Sequence, residues 1–362
     1  MDIGIPREIK PQEGRVGLIP QAAADLVAEG HRVLVETGAG EASGYSDGDY
    51  ERLGVEVVPD AAALYAQARL IVKVKEPVEA DLAHLRADHL LFCYLHLAAN
   101  PELARRLCAI GLTAVAFETV EAADGSLPLL IPMSIVAGRL ATQVGATLLH
   151  RHRRGRGTLL GGLAAAERGR VTVLGAGHAG GAAAAVAAAL GAEVTVFERR
   201  HDRLEAMRAL GPNVTALYPY RDSIDRAVRE TDLLVGAVLI PGARAPRLVS
   251  RAQVAGMLPG SVIIDISVDQ GGCIETTRPT TWEAPTFEVD GVVHFGVTNM
   301  PGTVPRSASM ALSAALIPWV RKLASDPDWR RDPGLAAGIN VAGGRIVHPR
   351  VREALETVEQ AR

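Results

Sequence analysis

Cysteine is scarce in this chain of 362 residues: only Cys93, Cys108 and Cys273 occur, and no two form a C-x-x-C pair. That excludes a disulfide framework and the usual thiolate zinc spacings, and it predicts free thiols in a reducing, cytoplasmic compartment with no metal site. A signal-peptide hydrophobic region is also lacking, because the chain opens directly into an expected strand, Ile3 to Ile5. Nor is there an excess of one charge. The net value of −3 gives no global field to draw the protein to nucleic acid or to anionic lipid. The one basic run, His150 to Arg156, has no interleaved aromatics and closes a helical pattern, where cations suit the dipole. It reads as a solvated helix end or subunit contact. Residues 171–192 lack Asp, Glu, Lys and Arg over a length that suggests a membrane span. Their glycines and their strand–turn–helix order read instead as a buried βα unit, so no membrane partner is expected.

What is abundant is apolar surface. With 48% hydrophobic and 22% charged residues the chain can bury large cores, and its length suits two domains. The first third alternates expected strands (3–5, 33–36, 70–75, 90–95, 113–118) with helical stretches (21–29, 61–66, 101–110), the pattern of a mostly parallel sheet covered on both faces. Ser134 is placed to cap an amphipathic helix running to about His150. Further strands are expected at 171–174, 193–197, 214–217, 233–238, 261–265 and 293–296. A long apolar helix, 308–323, then leads into a polar C-terminal stretch.

The most informative segment begins at Val171. A short strand runs into Gly175, Gly177 and Gly180, spaced G-x-G-x-x-G; an Ala-rich helix and a second strand follow, ending on Glu198. In a dinucleotide-binding turn the first glycine permits the tight bend and the second admits a pyrophosphate. The third lets helix and strand pack closely, and the helix N-terminus faces the phosphate charge. The fold class expected is therefore α/β, with two Rossmann-like, doubly wound domains. Residues 1–130 with 305–362 form the substrate domain, and 131–304 an inserted NAD-binding domain. The chemistry is expected in a cleft between them.

Four polar groups follow expected strands or loops: Arg15, Lys75, His96 and Asp269. Each has a plain structural alternative, such as a solvated strand end, a core histidine, or a turn carboxylate. Beside a dinucleotide motif they suit hydride transfer from a substrate carrying a carboxylate. Cations would hold that carboxylate, and histidine would shuttle a proton near neutral pH.

Over nearly its whole length the chain resembles the alanine dehydrogenase family, which includes the nucleotide-binding part of proton-pumping transhydrogenase. The resemblance is carried by Gly4–Lys10 with Arg15, Val72–Pro77, Leu95–Ala99, Phe117–Val120, Pro132–Ser134 and Val136–Arg139. In the nucleotide half it is carried by Gly175–Gly180, Gly236–Gly242, Asp269–Cys273, Arg278–Thr281 and Asn299–Pro301. It implies reversible, NAD-dependent conversion of L-alanine to pyruvate and ammonia by a homo-oligomer, usually a hexamer. Arg15 and Lys75 would bind the substrate, with His96 and Asp269 as acid/base groups. The positions matching cofactor contacts, besides Gly175, Gly177 and Gly180, are Ser134, His178, Ala179, Glu198, Arg203, Val238, Leu239, Ile266, Ser267, Val268, Asp269, Val297, Thr298, Asn299 and Met300.

Three departures from the family pattern bear on specificity. Ile135 stands where glutamate is common, Glu198 where aspartate is usual, and Pro219 and Tyr220 fall in a shortened stretch near the adenosine contacts. Glu198 still accepts from ribose hydroxyls and repels a 2′-phosphate, although Arg199 and Arg200 follow it. NAD is favoured over NADP. The competing readings are a sibling enzyme for another small 2-amino or 2-oxo acid, a transhydrogenase subunit, and a non-catalytic NAD-binding protein.

Overall fold

Short, mostly buried apolar runs, most of them followed by a helix, build two sheets. The computed structural model of the chain describes residues 1–238 and 245–360, without the side chains of residues 269, 270 and 358–360. The chain divides into two units, Met1–Met133 with Pro301–Arg362, and Ser134–Met300.

The first unit opens with six parallel strands: β1 (Asp2–Ile5), β2 (Arg32–Glu36), β3 (Glu56–Val58), β4 (Leu70–Val72), β5 (Leu90–Cys93) and β6 (Thr113–Ala116). The second unit supplies β7 (Arg170–Leu174), β8 (Glu193–Phe197), β9 (Val214–Leu217), β10 (Leu233–Gly236), β11 (Val262–Asp265), β12 (Thr286–Val289) and β13 (Val292–Phe295). The chain then returns to the first unit for β14 (Ile339–Ala342) and β15 (Arg345–Ile346). The first sheet has the order β15-β14-β6-β5-β4-β1-β2-β3, the second β12-β13-β11-β10-β7-β8-β9. Among the strands of the described residues, the pairs β12–β13, β14–β15 and β14–β6 are antiparallel and the others parallel. Strand order reverses between β1 and β4 in one sheet and between β7 and β10 in the other. At such a point neighbouring crossovers leave on opposite faces and open a crevice at the carboxyl ends of the strands.

Several elements differ from the sequence expectation. β4 and β5 end at Val72 and Cys93, short of Lys75 and Leu95, yet backbone bonds continue the ladder past them: Lys73 N–H to Phe92 O (3.1 Å) and Tyr94 N–H to Val74 O (3.1 Å). Ser134 is not a helix cap. The helix spans Ile131–Leu148, with Pro132 in its first turn, where a missing N–H costs nothing. The polar C-terminal stretch carries β14 and β15, which extend the first sheet along β6. Among the described residues no helix is long and apolar enough to cross a membrane.

Candidate active site

Arg15 follows β1, Lys75 follows β4 and His96 follows β5, so three neighbouring strands on either side of the reversal point deliver them. The Arg15 loop is built from the far end of the chain. In the helix Pro305–Ser325, the buried Ser309 and Ser313 hydroxyls accept the Val16 and Ile19 N–H groups at 3.0 and 2.8 Å. The Ser313 hydroxyl in turn donates to Gly17 O at 3.1 Å.

Arg15 is 3% exposed and holds Glu13 through two bonds, Nε to Oε1 at 2.6 Å and Nη2 to Oε2 at 2.5 Å. Its Nη1 donates to Met133 Sδ at 3.1 Å. Burial opposes the guanidinium charge, but Glu13 more than offsets it and keeps the proton bound more tightly than usual. Removing Glu13 from such a pair typically costs about 3–5 kcal/mol. Lys75 is half-buried. Burial, with the Arg15 charge nearby and against the pull of Glu76, moves its ammonium below the ordinary lysine range. Behind it the buried Glu8 carboxylate accepts the Val74 and Lys75 N–H groups at 2.7 and 3.3 Å and faces the buried Lys73 ammonium at 3.4 Å.

His96 has φ +49°, a left-handed conformation that costs a non-glycine residue about 1–3 kcal/mol. Glu118, just past β6, holds it there. Its carboxylate accepts the His96 N–H at 2.5 Å and the Leu95 N–H at 3.2 Å, and lies 3.8 Å from the imidazole Nδ1. The imidazole stacks on the buried Tyr94 ring, 5.8 Å between centroids and 2° from parallel. Tyr94 is anchored by a 2.6 Å bond from its hydroxyl to Leu129 O. Glu13, Tyr94 and Glu118 were not singled out from sequence. Only Glu118, inside the Phe117–Val120 motif, carried any signal.

In the second unit the glycine turn follows β7 at the reversal point. Gly175 has φ +94°, and a Cβ there would lie 2.7 Å from Ala237 O. A Cβ on Gly180 would lie 1.8 Å from Gly175 O, so helix and strand pack backbone to backbone. At Gly177 the nearest heavy atom to a Cβ is Arg203 Nη1 at 3.8 Å, so this side of the turn is open. Gly177 starts the helix His178–Ala189, and no side chain caps it. Beside the turn lies a cavity of about 340 Å³, lined by Ile135, Arg139, His178, Arg203 and Met207 among others. A diphosphate suits this cradle: open backbone at a helix N-terminus, with arginines beside it. Ser134 and Ala179 are half-buried, on the helix Ile131–Leu148 and in the turn's own helix.

Glu198 directly follows β8, where its carboxylate accepts N–H groups from Ala176 (3.0 Å), Arg199 (2.7 Å) and Arg200 (3.1 Å), with Arg203 at 3.6 Å. Burial works against its ionisation, but those amides and Arg203 outweigh it and hold the carboxyl below its usual range. At the end of β11, the buried Asp265 accepts from Ser267 N–H (3.0 Å), Cys273 N–H (2.9 Å) and the Thr277 hydroxyl (2.8 Å). It thereby shapes the helical turn Ile266–Gln270, and the Ser267 hydroxyl ties that turn to Val238 O at 2.8 Å. Val268, Val297 and Met300 are buried, while Ile266, Thr298 and Asn299 are half-buried. Asp269 contributes backbone to the turn; its side chain, and Leu239 altogether, lie outside the described residues.

Residues 4–137 match the family described as "Alanine dehydrogenase/PNT, N-terminal domain", and residues 141–349 match "Alanine dehydrogenase/PNT, C-terminal domain". The chain belongs to the alanine dehydrogenase/PNT family. It is 47% identical to a protein of Halomonas elongata named alanine dehydrogenase, covering 100% of this chain and 99% of that one. A solved structure titled L-alanine dehydrogenase superposes with a TM-score of 0.96 at 49% identity, covering 99% and 100% of the two chains. A transhydrogenase from Sinorhizobium meliloti follows at a TM-score of 0.84 and 28% identity, covering 96% and 99%. Membership in this family implies a nicotinamide cofactor and an amino-acid dehydrogenase chemistry, and the expected two-domain α/β fold agrees with both structural likenesses.

Proposed function

We propose that the protein is an L-alanine dehydrogenase, converting L-alanine, NAD and water reversibly to pyruvate, ammonium, NADH and a proton. The observation that supports the residue roles best is the delivery of Arg15, Lys75 and His96 by β1, β4 and β5, neighbours in one sheet. Arg15 and Lys75 hold the substrate carboxylate by charge and fixed orientation. His96 directs Nδ1 towards Glu118, which leaves Nε2 to take a proton from the alanine ammonium. The bound nicotinamide supplies the hydride acceptor for the substrate Cα–H. Asp269 activates the water that adds to the resulting iminium, and the Lys75 ammonium, whose proton is loosened by burial, polarises the oxygen that forms. Gly175, Gly177 and Gly180, with Ser134, His178, Ala179 and Arg203, hold the diphosphate. Val238 and Leu239, Ile266 to Asp269, and Val297 to Met300 hold the rest of the cofactor.

NAD rather than NADP follows from Glu198. Its carboxylate is charged and beside the turn, so it accepts ribose hydroxyls and repels a 2′-phosphate. Arg200, one of the two arginines that follow Glu198, is engaged by Asp202 at 2.7 and 3.1 Å. Comparing turnover with NAD and NADP tests the preference. A homo-hexamer is proposed from the family resemblance, and a cytoplasmic location from the three free thiols; native mass and cell fractionation check them. The experiment for the acid/base roles is replacement of His96 by alanine and Asp269 by asparagine. Each variant should lose alanine turnover by about 10²- to 10⁴-fold while NADH binding persists. Near-wild-type turnover in either refutes its role.

A second reading, another small 2-amino or 2-oxo acid as substrate, is favoured only by Ile135, which lines the cavity beside Gly177. Relative turnover of alanine, serine and glycine separates the two.

A further inference from the structure

Lys73 and Lys75 stand two residues apart, a spacing that places both on one face of a regular strand. The structure separates them. β4 ends at Val72, and the chain bends at Val74 and Lys75. The Lys73 ammonium, 1% exposed, lies between Glu8 at 3.4 Å and Asp81 at 3.3 Å. The Lys75 ammonium makes no hydrogen bond or ion pair among the described residues, which leaves its N–H donors to a ligand.

One side chain spans the bend that parts the two lysines. On the β5 side the backbone ladder carries on, through the Lys73 N–H to Phe92 O and the Tyr94 N–H to Val74 O. On the β1 side the pairing stops at Gly4 with Ile71. Beyond it Glu8, in the loop after β1, takes over: its Oε1 accepts the Val74 N–H at 2.7 Å and the Lys75 N–H at 3.3 Å. A single oxygen holding both amides sets the direction in which the chain leaves the sheet at Lys75. The other oxygen, Oε2, faces Lys73. Lys73 is tied in turn to Asp81, which accepts the Tyr65 hydroxyl at 3.1 Å and the Val78 N–H at 2.9 Å. Burial opposes the Lys73 charge, but Glu8 and Asp81 outweigh it and hold its proton more tightly than usual. Buried groups thus grip the Glu8 side chain from behind while its front oxygen holds the bend.

We infer that Glu8 is a positioning residue for Lys75: its Oε1 fixes the bend at Val74 and Lys75 and so aims the Lys75 ammonium, while Lys73 keeps that carboxyl in place. The inference rests on the proposed binding of substrate by Lys75. It gives the buried Lys73–Glu8 pair a part in substrate binding, through the Lys75 backbone.

Two variants of the full-length protein separate reach from charge. They are assayed as kcat/KM for pyruvate at saturating NADH and ammonium, with NADH binding and melting curves alongside. Glu8→Asp keeps the charge beside Lys73 but draws the carboxyl back by one methylene, away from the two amides, and kcat/KM should fall about tenfold. Glu8→Gln keeps the reach and an acceptor oxygen. It should recover most of that loss, even though it gives up the charge beside Lys73 and melts below the parent. NADH affinity should match the parent in both. An aspartate variant as efficient as the parent overturns the inference. So does a glutamine variant less efficient than the aspartate variant, which would make the ion pair itself the requirement. An equal loss of NADH affinity also overturns it, as general damage. Lys75→Met separates the inference from the role it rests on. If Lys75→Met lowers kcat/KM for pyruvate and Glu8→Asp does not, the inference alone falls. If Lys75→Met leaves kcat/KM unchanged, the proposed role of Lys75 falls and takes the inference with it.

Discussion

Gly177 and Gly180 sit three residues apart in one motif, yet substitution should act on them through different links of the chain from sequence to function. A methyl at Gly180 meets Gly175 O at 1.8 Å and has to force the helix off the sheet. A methyl at Gly177 meets nothing closer than 3.8 Å, and its φ of −68° is open to any residue. Gly177→Ala should therefore melt within a few degrees of the parent and still bind NADH at least about tenfold more weakly, because the methyl occupies the space a phosphate needs. Melting curves beside NADH titration check this, and a normal NADH affinity in a folded variant contradicts it. Glu118 gives a second prediction. Its carboxylate holds the left-handed His96 by accepting two backbone N–H groups, so Glu118→Ala should reduce kcat about tenfold, roughly 1.4 kcal/mol. Glu118→Gln, whose amide oxygen still accepts, should recover most of that loss; equal kcat in the alanine variant and the parent would remove Glu118 from the account. The motif spacing made the glycines legible. Glu118 was not, because its partner is a backbone turn 22 residues away in the chain, brought close only by the β5–β6 register.

At the scale of elements, every parallel strand except β3 was readable from its apolar run, and some of the connecting helices, such as Pro101–Ile110, from periodicity. The helix Pro305–Ser325 shows what periodicity hides. Ser309 and Ser313 fall one turn apart in an otherwise apolar face, and a sequence reading treats both as neutral. In the fold they are buried and hold the Arg15 loop by its amide groups. Replacing both by alanine leaves two buried N–H groups unpaired, at about 1–3 kcal/mol each. The double variant should lower the melting temperature and raise the KM for alanine more than it lowers kcat, since the loop positions a binding cation. An unchanged KM would show that the loop is held by other means. β14 and β15 escaped notice for a related reason: they are short, and the segment around them is polar. They have meaning only as antiparallel additions beside β6.

Across the whole molecule, protonation couples to stability through histidines far from the proposed chemistry. His89 and His294 are 1% and 0% exposed, and burial holds each below the ordinary histidine range. His294 bonds Val292 O at 2.9 Å and the Thr276 hydroxyl at 2.7 Å. A depressed histidine binds fewer protons folded than unfolded, so the stability that both residues leave intact at neutral pH is lost as pH falls below about 6.5. Glu8 acts in the opposite sense, because burial raises its carboxyl and its share is lost as pH rises from about 4.5. Since Glu8 is common to parent and variants, His294→Gln should flatten the decline in melting temperature between about pH 6.5 and 5 relative to the parent. A slope identical to the parent's would mean that this ring does not titrate on unfolding.

The account as a whole stands on substrate oxidation by the intact protein. Purified enzyme given L-alanine and NAD should produce NADH and pyruvate in equal amounts, faster than with serine or glycine, and pyruvate with ammonium should consume NADH. Tight NADH binding accompanied by no alanine-dependent NADH formation would contradict it.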